Sequence, residues 1–421
     1  MRHLLLMVLA LALCAGAVAD TPVYLDEVPD YNWYHGCSPT SGGMVFGYWD
    51  RQTGYENLWD GTAPLYANDN DGNVEEIYQL ISSDEHNSAT YVKNECTHTN
   101  APNSLGCFFH TDPNSGGSNT WNIATGMRRY AAWDDPGTGI DESYAFHSLP
   151  RYGYHPDFGS FNAGTFDFLD LVAEIDGGRP MLLDLSLKGA GHSVMSYGYW
   201  IDDSGDKWYA VRDTWQNGVG SAESGFGITA TTYDGQEWWR WETCEEGESF
   251  GDAYFVSDAI YFAPDHDGLK QEDTDFGNSY DLAELIDSPM ETVYASLGST
   301  SDEDWYRIWL DQYDVLTAMT QDEEGYDQAV DTRIDLHYDP DLPELVYCDD
   351  FWGGSGGTYT SNLWWEAGTS GYYYLNVRYG GSGATGDYWL STYRDIFPEP
   401  TTLAMLSLGA AVLIARCRRR R

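Results

Sequence analysis

Three residues of this sequence could together break a covalent bond: Cys37, His192 and Asp213. A thiol becomes a strong nucleophile as its thiolate, which forms where a base takes the proton and positive potential meets the sulfur. Cys37 stands in Tyr34-His35-Gly36-Cys37-Ser38-Pro39-Thr40, where Ser38 can cap and Pro39 can open a helix. That spacing predicts Cys37 at a helix N-terminus, where unpaired N–H groups and the helix dipole favour negative charge and lower the thiol pKa. His192, in Gly189-Ala190-Gly191-His192-Ser193-Val194, would be the base. Asp213 would fix the imidazole tautomer and stabilise its charged form.

The elements that must bring these groups together follow from the local pattern. Gly42, Gly43 and Gly47 are costly inside a helix, so their clustering predicts close packing of that helix against the rest of its domain. Gly36 would leave room beside the thiol for a substrate carbonyl. His192 opens a strand that runs to Trp200, the chain turns through Asp202-Asp203-Ser204-Gly205-Asp206, and it returns as Lys207 to Thr214. Folding these strands about Ser204 brings Asp213 within about three residues of the position opposite His192, an offset that a bulge would close.

The block Gly36-Cys37-Ser38-Pro39-Thr40, followed by Gly191-His192-Ser193-Val194 and a strand ending in Asp213, resembles the C39-like cysteine peptidases. The resemblance implies a papain-like α+β domain over residues 20–263, a Cys-His-Asp or Cys-His-Asn triad, and metal-free peptide-bond hydrolysis. By position Cys37 attacks, His192 exchanges the proton and Asp213 orients it. Family members often carry a Gln shortly before the Cys to help bind the oxyanion. This chain has none there, and Asn32 is the nearest amide donor, beside the Cys37 main-chain N–H.

After an acidic linker at 264–274, residues 275–395 read differently. Asp304 to Leu310, Thr332 to Tyr338 and Gly371 to Val377 alternate with period two between Gly, Asp and Ser clusters, which predicts an all-β sandwich. With Cys348-Asp349-Asp350 before a Gly-rich loop, and Gly386-Asp387-Tyr388-Trp389-Leu390, these stretches resemble the bacterial pre-peptidase C-terminal (PPC) domain. That resemblance implies a jelly-roll-like accessory module of secreted peptidases. Its aromatic residues read mainly as core.

Both ends carry address signals. Residues 1–19, a basic start, an apolar run and Ala17-Val18-Ala19, have the pattern of a cleaved secretory signal peptide. Residues 396–421 carry Pro398-Glu399-Pro400, an apolar stretch from Thr401 to Ala415, and Arg416 followed by Arg418 to Arg421. This terminus resembles the PEP-CTERM sorting signal. It implies an exosortase-type processing enzyme as partner, transient membrane insertion through the C-terminal helix, and delivery to the envelope, surface or extracellular matrix of a Gram-negative-type bacterium.

Composition closes other routes. A formal charge of -46 over 421 residues excludes nucleic acid as a partner, since phosphate binding needs Lys and Arg clusters. Outside the two end segments stand Cys37, Cys96, Cys107, Cys244 and Cys348, an odd number that calls for a free thiol in an exported chain. Cys96 with Cys107 is the expected local bridge. Gly191 to Met195 lacks the last glycine of a nucleophile elbow, and neither His-Glu-x-x-His nor Cys-x-x-Cys occurs. Asp69-Asn70-Asp71-Gly72 is not an EF-hand. No cofactor is called for, and scattered carboxylates leave a structural calcium ion open. The expected activity is therefore hydrolysis of a peptide or protein substrate by an exported thiol peptidase. A non-catalytic surface or matrix binding protein on the same scaffold is the alternative.

Overall fold

The computed structural model describes residues 21–56, 58, 63–67, 75–92, 95–97, 102–133, 144, 146–152, 166–215, 226–244, 251–264, 270–271, 279–287, 290–322, 330–339, 343–349, 361–381 and 385–395. Both end signals, with the apolar stretch expected to enter a membrane, lie outside the described residues. Among the described residues no helix is long and apolar enough to cross a membrane, and no group of His, Cys, Asp or Glu could hold a metal ion.

The first part of the chain contains β1 (Val23–Tyr24), β2 (Asp30–Tyr31), α1 (Cys37–Asp50), β3 (Tyr66–Ala67), α2 (Glu75–Ile81), α3 (Asp84–Asn87), β4 (Thr90–Val92) and β5 (Glu95–Thr97). These lead into α4 (Leu105–Phe108), α5 (Thr120–Ala131), β6 (Phe146–Tyr152), α6 (Phe168–Asp176), β7 (Met181–Leu187), β8 (Ala190–Ile201) and β9 (Lys207–Arg212). Strands β10 (Ala230–Tyr233), β11 (Gln236–Arg240) and β12 (Phe255–Pro264) complete an eight-stranded sheet ordered β10-β11-β9-β8-β7-β12-β6, with β1 on β8. Every pairing in it is antiparallel.

Strand periodicity decides what each face of this sheet buries. Leu182, Met195, Ile260 and Phe262 pack with Met44, Phe46 and Met127 of α1 and α5 on one side. Leu183, Leu185, Val194 and Tyr261 pack with Phe168, Leu171 and Ile175 of α6 on the other. Alternate residues point to opposite faces of a strand, so a run such as Leu182-Leu183 serves both layers. The α1 glycines meet the expectation of close packing. A Cβ on Gly42 would stand 2.8 Å from the Phe109 ring, and one on Gly47 would stand 2.6 Å from the Tyr31 hydroxyl.

The second part holds two five-stranded sheets. One runs β13-β15-β22-β17-β20, with β13 (Lys270–Gln271), β15 (Met290–Ser296), β17 (Val315–Asp322), β20 (Asn362–Glu366) and β22 (Asp387–Asp395). The other runs β14-β16-β21-β18-β19, with β14 (Glu284–Ile286), β16 (Glu303–Leu310), β18 (Thr332–His337), β19 (Val346–Asp349) and β21 (Gly371–Tyr379). Val293, Leu316 and Leu390 of the first share one core with Ile308, Leu336 and Leu375 of the second. The three alternating stretches singled out in sequence are β16, β21 and β18, neighbours in one sheet. Most of their aromatic residues divide by parity: Tyr306 and Tyr373 are buried, and Trp309 and Tyr372 are exposed and stack edge to face at 5.1 Å, whereas Trp305 is buried on the opposite parity to Tyr306.

The two parts touch. His147 of β6 hydrogen-bonds Thr292 of β15 at 3.1 Å, Arg128 of α5 lies 4.4 Å from the centre of the Trp389 ring, and Tyr261 packs on Tyr393.

Candidate active site

The site is assembled where the start of α1 meets the start of β8. The helix begins at Cys37 itself, one residue before the expected cap, with Gly36 in the capping position and no side-chain capping bond. Ser38 therefore lies inside the first turn, and its hydroxyl leaves the helix to meet that of Ser193 at 2.8 Å. Thr40 fixes the approach instead, donating to the Gly36 carbonyl at 2.7 Å and accepting the Tyr34 N–H at 3.1 Å. Gly36 also has a different reason from the one expected. A Cβ there would stand 2.9 Å from the Pro39 ring and 3.1 Å from the Gly116 carbonyl oxygen, so its missing side chain accommodates protein.

Cys37 is a free, half-buried thiol beside the buried His192 imidazole, close enough for each to shift the other's pKa. Burial pushes the thiol pKa up, but the His192 hydrogen bond and charge, with the Ser193 N–H, bring it below the usual value. The imidazole moves the other way. Burial lowers its pKa, and the hydrogen bond and charge of Cys37 with the Asp213 carbonyl raise it above the ordinary histidine value. Both shifts favour the thiolate–imidazolium form of the pair.

The expected hairpin is present, and so is its bulge, between Ser196 and Gly198 in the β8–β9 pairing. It brings Asp213 to His192, but by a different atom from the one expected. His192 Nε2 donates to the main-chain carbonyl of Asp213 at 2.8 Å. That bond fixes the tautomer and leaves Nδ1 for the thiol. The Asp213 carboxylate turns back to accept the Trp215 N–H at 2.9 Å, closing an Asx-type turn. The physical reason is the backbone of Thr214, held at φ 68, where a β-branched residue is strained. That turn aims the Thr214 carbonyl at the Trp33 N–H, 2.6 Å away, which stitches the segment before Cys37 to the segment that holds His192.

Burial, then the charge of Glu237, pushes the Asp213 carboxyl up to about 7 against the pull of the Trp215 N–H and His192. Trp215 was not singled out in sequence. Its ring lies over the His192 imidazole at 4.4 Å and 12°, covering one face from water. Asn32 sits just before this stitch, its main-chain N–H on the Ala67 carbonyl at 2.9 Å, and its side-chain amide has no hydrogen-bond partner among the described residues.

Serine and threonine hydroxyls beside the reacting pair also escaped the sequence reading. Ser193 donates to Asp184 Oδ1 at 2.5 Å, Thr120 donates to Asp184 Oδ2 at 2.7 Å, and Ser41 donates to the Ser193 carbonyl at 2.9 Å. A single carboxylate inside Met181-Leu182-Leu183-Asp184-Leu185 was the available signal, since a buried charge in an apolar strand demands donors. The expected Cys96–Cys107 bridge does not form. Cys107 carries a thiol that donates to Asn103 Oδ1 and accepts from Ser104, both at 3.4 Å, and the Cys96 side chain lies outside the described residues.

Comparison with known proteins places the first part of the chain. None of the curated proteins matches the whole chain or any part of it. Among solved structures it is similar to the pre-peptidase C-terminal domain of a collagenase from Bacillus anthracis, at 21% identity over 26% of this chain and 93% of that one, with a TM-score of 0.20. It is also similar to PliG, a periplasmic inhibitor of g-type lysozyme. The Aeromonas hydrophila protein shares 11% identity over 27% of this chain and 97% of that one, TM-score 0.20. The Salmonella Typhimurium protein shares 12% over 27% and 100%, TM-score 0.19. Likenesses of that size decide neither fold nor function. The Peptidase_C39 like family model, by contrast, matches residues 25–242, which contain Cys37, His192 and Asp213 and more than half of the sequence, and the chain belongs to that family.

Proposed function

We propose that this protein is a cysteine peptidase of papain-like fold that hydrolyses peptide bonds through Cys37 and His192. What supports the reading is the meeting of the Cys37 thiol and the His192 imidazole at the start of α1, where each shifts the other toward its charged form, with imidazole Nε2 held by the Asp213 carbonyl. In the resting pair His192 holds the proton of Cys37. The thiolate attacks the substrate carbonyl carbon, and the developing oxyanion meets the Cys37 main-chain N–H at the positive end of the helix. The Asn32 amide is the proposed second donor. As the C–N bond breaks, the imidazolium gives its proton to the leaving amine and a thioester remains. His192 then takes a proton from water, whose oxygen displaces the sulfur to release the acid. Trp215 shields the imidazole during both transfers.

We assign the remaining roles on the same footing. Residues 1–19 export the chain, residues 396–421 hand it to an exosortase-type enzyme after transient membrane insertion, and the product resides at the cell envelope or in the extracellular matrix. The sandwich is a PPC-like accessory module. Replacing Cys37 with Ala is expected to lower peptide hydrolysis by at least ~10³-fold and to abolish labelling by an alkylating probe, with the circular dichroism spectrum unchanged. Hydrolysis retained by that variant would overturn the reading. A non-catalytic binding protein on the same scaffold is the second reading, favoured by the absence of a carboxylate on His192. Its signature is a Cys37 that alkylates no faster than free cysteine.

A further inference from the structure

The residue that follows the nucleophile is tied to the residue that follows the base, and through it to one carboxylate. Asp184 accepts from Ser193 at 2.5 Å and from Thr120 at 2.7 Å. A hydroxyl has one proton to give. Ser193 spends its proton on Asp184, so the 2.8 Å contact with Ser38 must run from the Ser38 O–H to the Ser193 oxygen. The chain Ser38 to Ser193 to Asp184 therefore has one direction, set by the carboxylate at its end. Ser38 adjoins Cys37 in the first turn of α1, and Ser193 adjoins His192 on β8.

We propose that Asp184 is a positioning residue for the Cys37–His192 pair, holding the start of α1 and the start of β8 at their working separation through Ser193 and Ser38. This rests on the reading of that pair as the reacting groups.

Asp184 is placed to do this as an anion. From β12, Asp258 stands directly opposite it in the strand pairing, and two carboxyls so placed cannot both ionise freely. Burial raises the Asp184 pKa, the Ser193 and Thr120 hydroxyls and the His192 charge pull it back toward the charged form, and burial with the Asp184 charge pushes Asp258 up to about 8, so that Asp258 is the carboxyl that keeps its proton. The groups that face it from other elements are Thr120 of α5, Ser193 and His192 of β8, Asp258 of β12 and Cys37 of α1. Its charge steadies the His192 imidazolium and works against the Cys37 thiolate. Removing the charge should thus lower both pKa values and slide the two limbs of the pH–rate curve together toward acid.

The experiment measures kcat/KM and Cys37 alkylation against pH in the full-length protein, for wild type, Asp184→Asn, Ser38→Ala and His192→Ala. For Asp184→Asn the expected result is a fall of about 10-fold or more in kcat/KM, carried by kcat, with both limbs shifted to lower pH by roughly half a unit. Ser38→Ala keeps the charge and cuts the tie, so it should lower kcat by about 3-fold or more without moving the limbs. A purely structural carboxylate would change the melting temperature and leave the limbs in place. If Asp184→Asn fails to fold, Ser38→Ala decides alone: a curve superimposed on wild type in height overturns the proposal. If His192→Ala leaves alkylation unchanged, the reading of the reacting pair itself falls. If His192→Ala slows it while Asp184→Asn and Ser38→Ala both match wild type, only the role of Asp184 falls.

Discussion

Asp184 and Asp304 solve the same problem with different consequences. Each is a strand carboxylate that accepts hydroxyl protons from other elements, two at Asp184 and that of Tyr388 at Asp304. Asp304 is fully buried between the two sheets of the sandwich and accepts the Tyr388 hydroxyl at 2.7 Å, which in turn lies 2.8 Å from the Tyr306 hydroxyl. The chain of hydroxyls beyond it ends in packed rings. At Asp184 the chain of hydroxyls ends beside the Cys37 thiol and the His192 imidazole, the pair proposed to react. A buried carboxylate is thus not itself a functional signal. What its donors are attached to decides whether its loss appears in stability or in rate.

The sharpest way to break that comparison is to remove the sandwich carboxylate. Asp304→Ala leaves the buried Tyr388 O–H without its acceptor and opens a cavity beside it, and is expected to cost about 2–4 kcal/mol of stability, read by denaturant unfolding. Its pH–rate limbs should coincide with wild type, whereas those of Asp184→Asn move. A shift in the Asp304→Ala limbs would erase the distinction.

A smaller effect concerns the carboxyl pair. Burial, then the charge of Asp184, pushes the Asp258 pKa from 3.8 up to about 8. An acid whose folded pKa is raised stabilises the fold fully below its unfolded value and loses that contribution as pH rises through the folded one. Wild-type stability should therefore decline between pH 3.8 and about 8 through this group. Asp258→Asn, which never ionises, should flatten the decline and melt a few degrees (~3 °C) above wild type at the alkaline end. An unchanged slope in thermal melts across that window would show that burial and the Asp184 charge do not hold Asp258 protonated there.

The mildest change is expected at Asp213. The main-chain carbonyl holds His192, and Asn can still accept the Trp215 N–H, so Asp213→Asn should lower kcat/KM by less than ~10-fold. In a triad whose carboxylate holds the ring, the matching change costs about 10⁴-fold. Since the Asp213 carboxyl ionises only near 7, the variant should match wild type best below that pH. A loss of several hundred-fold would restore the carboxylate to the role expected of it.

Much of the candidate site was legible from local pattern. Gly36-Cys37-Ser38-Pro39 places the sulfur at a helix start because Pro39 suits the first turn and cannot sit deeper. The strand after His192, its turn and its return were readable from alternation and from the Asp-rich turn. Ser38 does not cap because the helix opens two residues earlier than expected, with Gly36 in the capping position, and the Ser38 hydroxyl reaches across to Ser193. The Cys96–Cys107 bridge was misread because spacing limits which thiols can meet without deciding that they do.

Taken alone, the residue order determined which groups could react, which elements carry them and how the strands divide between two cores, since these depend on spacing along one chain. Only the tertiary structure decided that the carbonyl of Asp213 and not its carboxylate holds His192, and that Asp184 joins the neighbours of both reacting residues. The reason is physical: a peptide plane turns with one dihedral at Thr214, and a carboxylate finds donors across sheet and helix. Both depend on elements distant in sequence packing in one register.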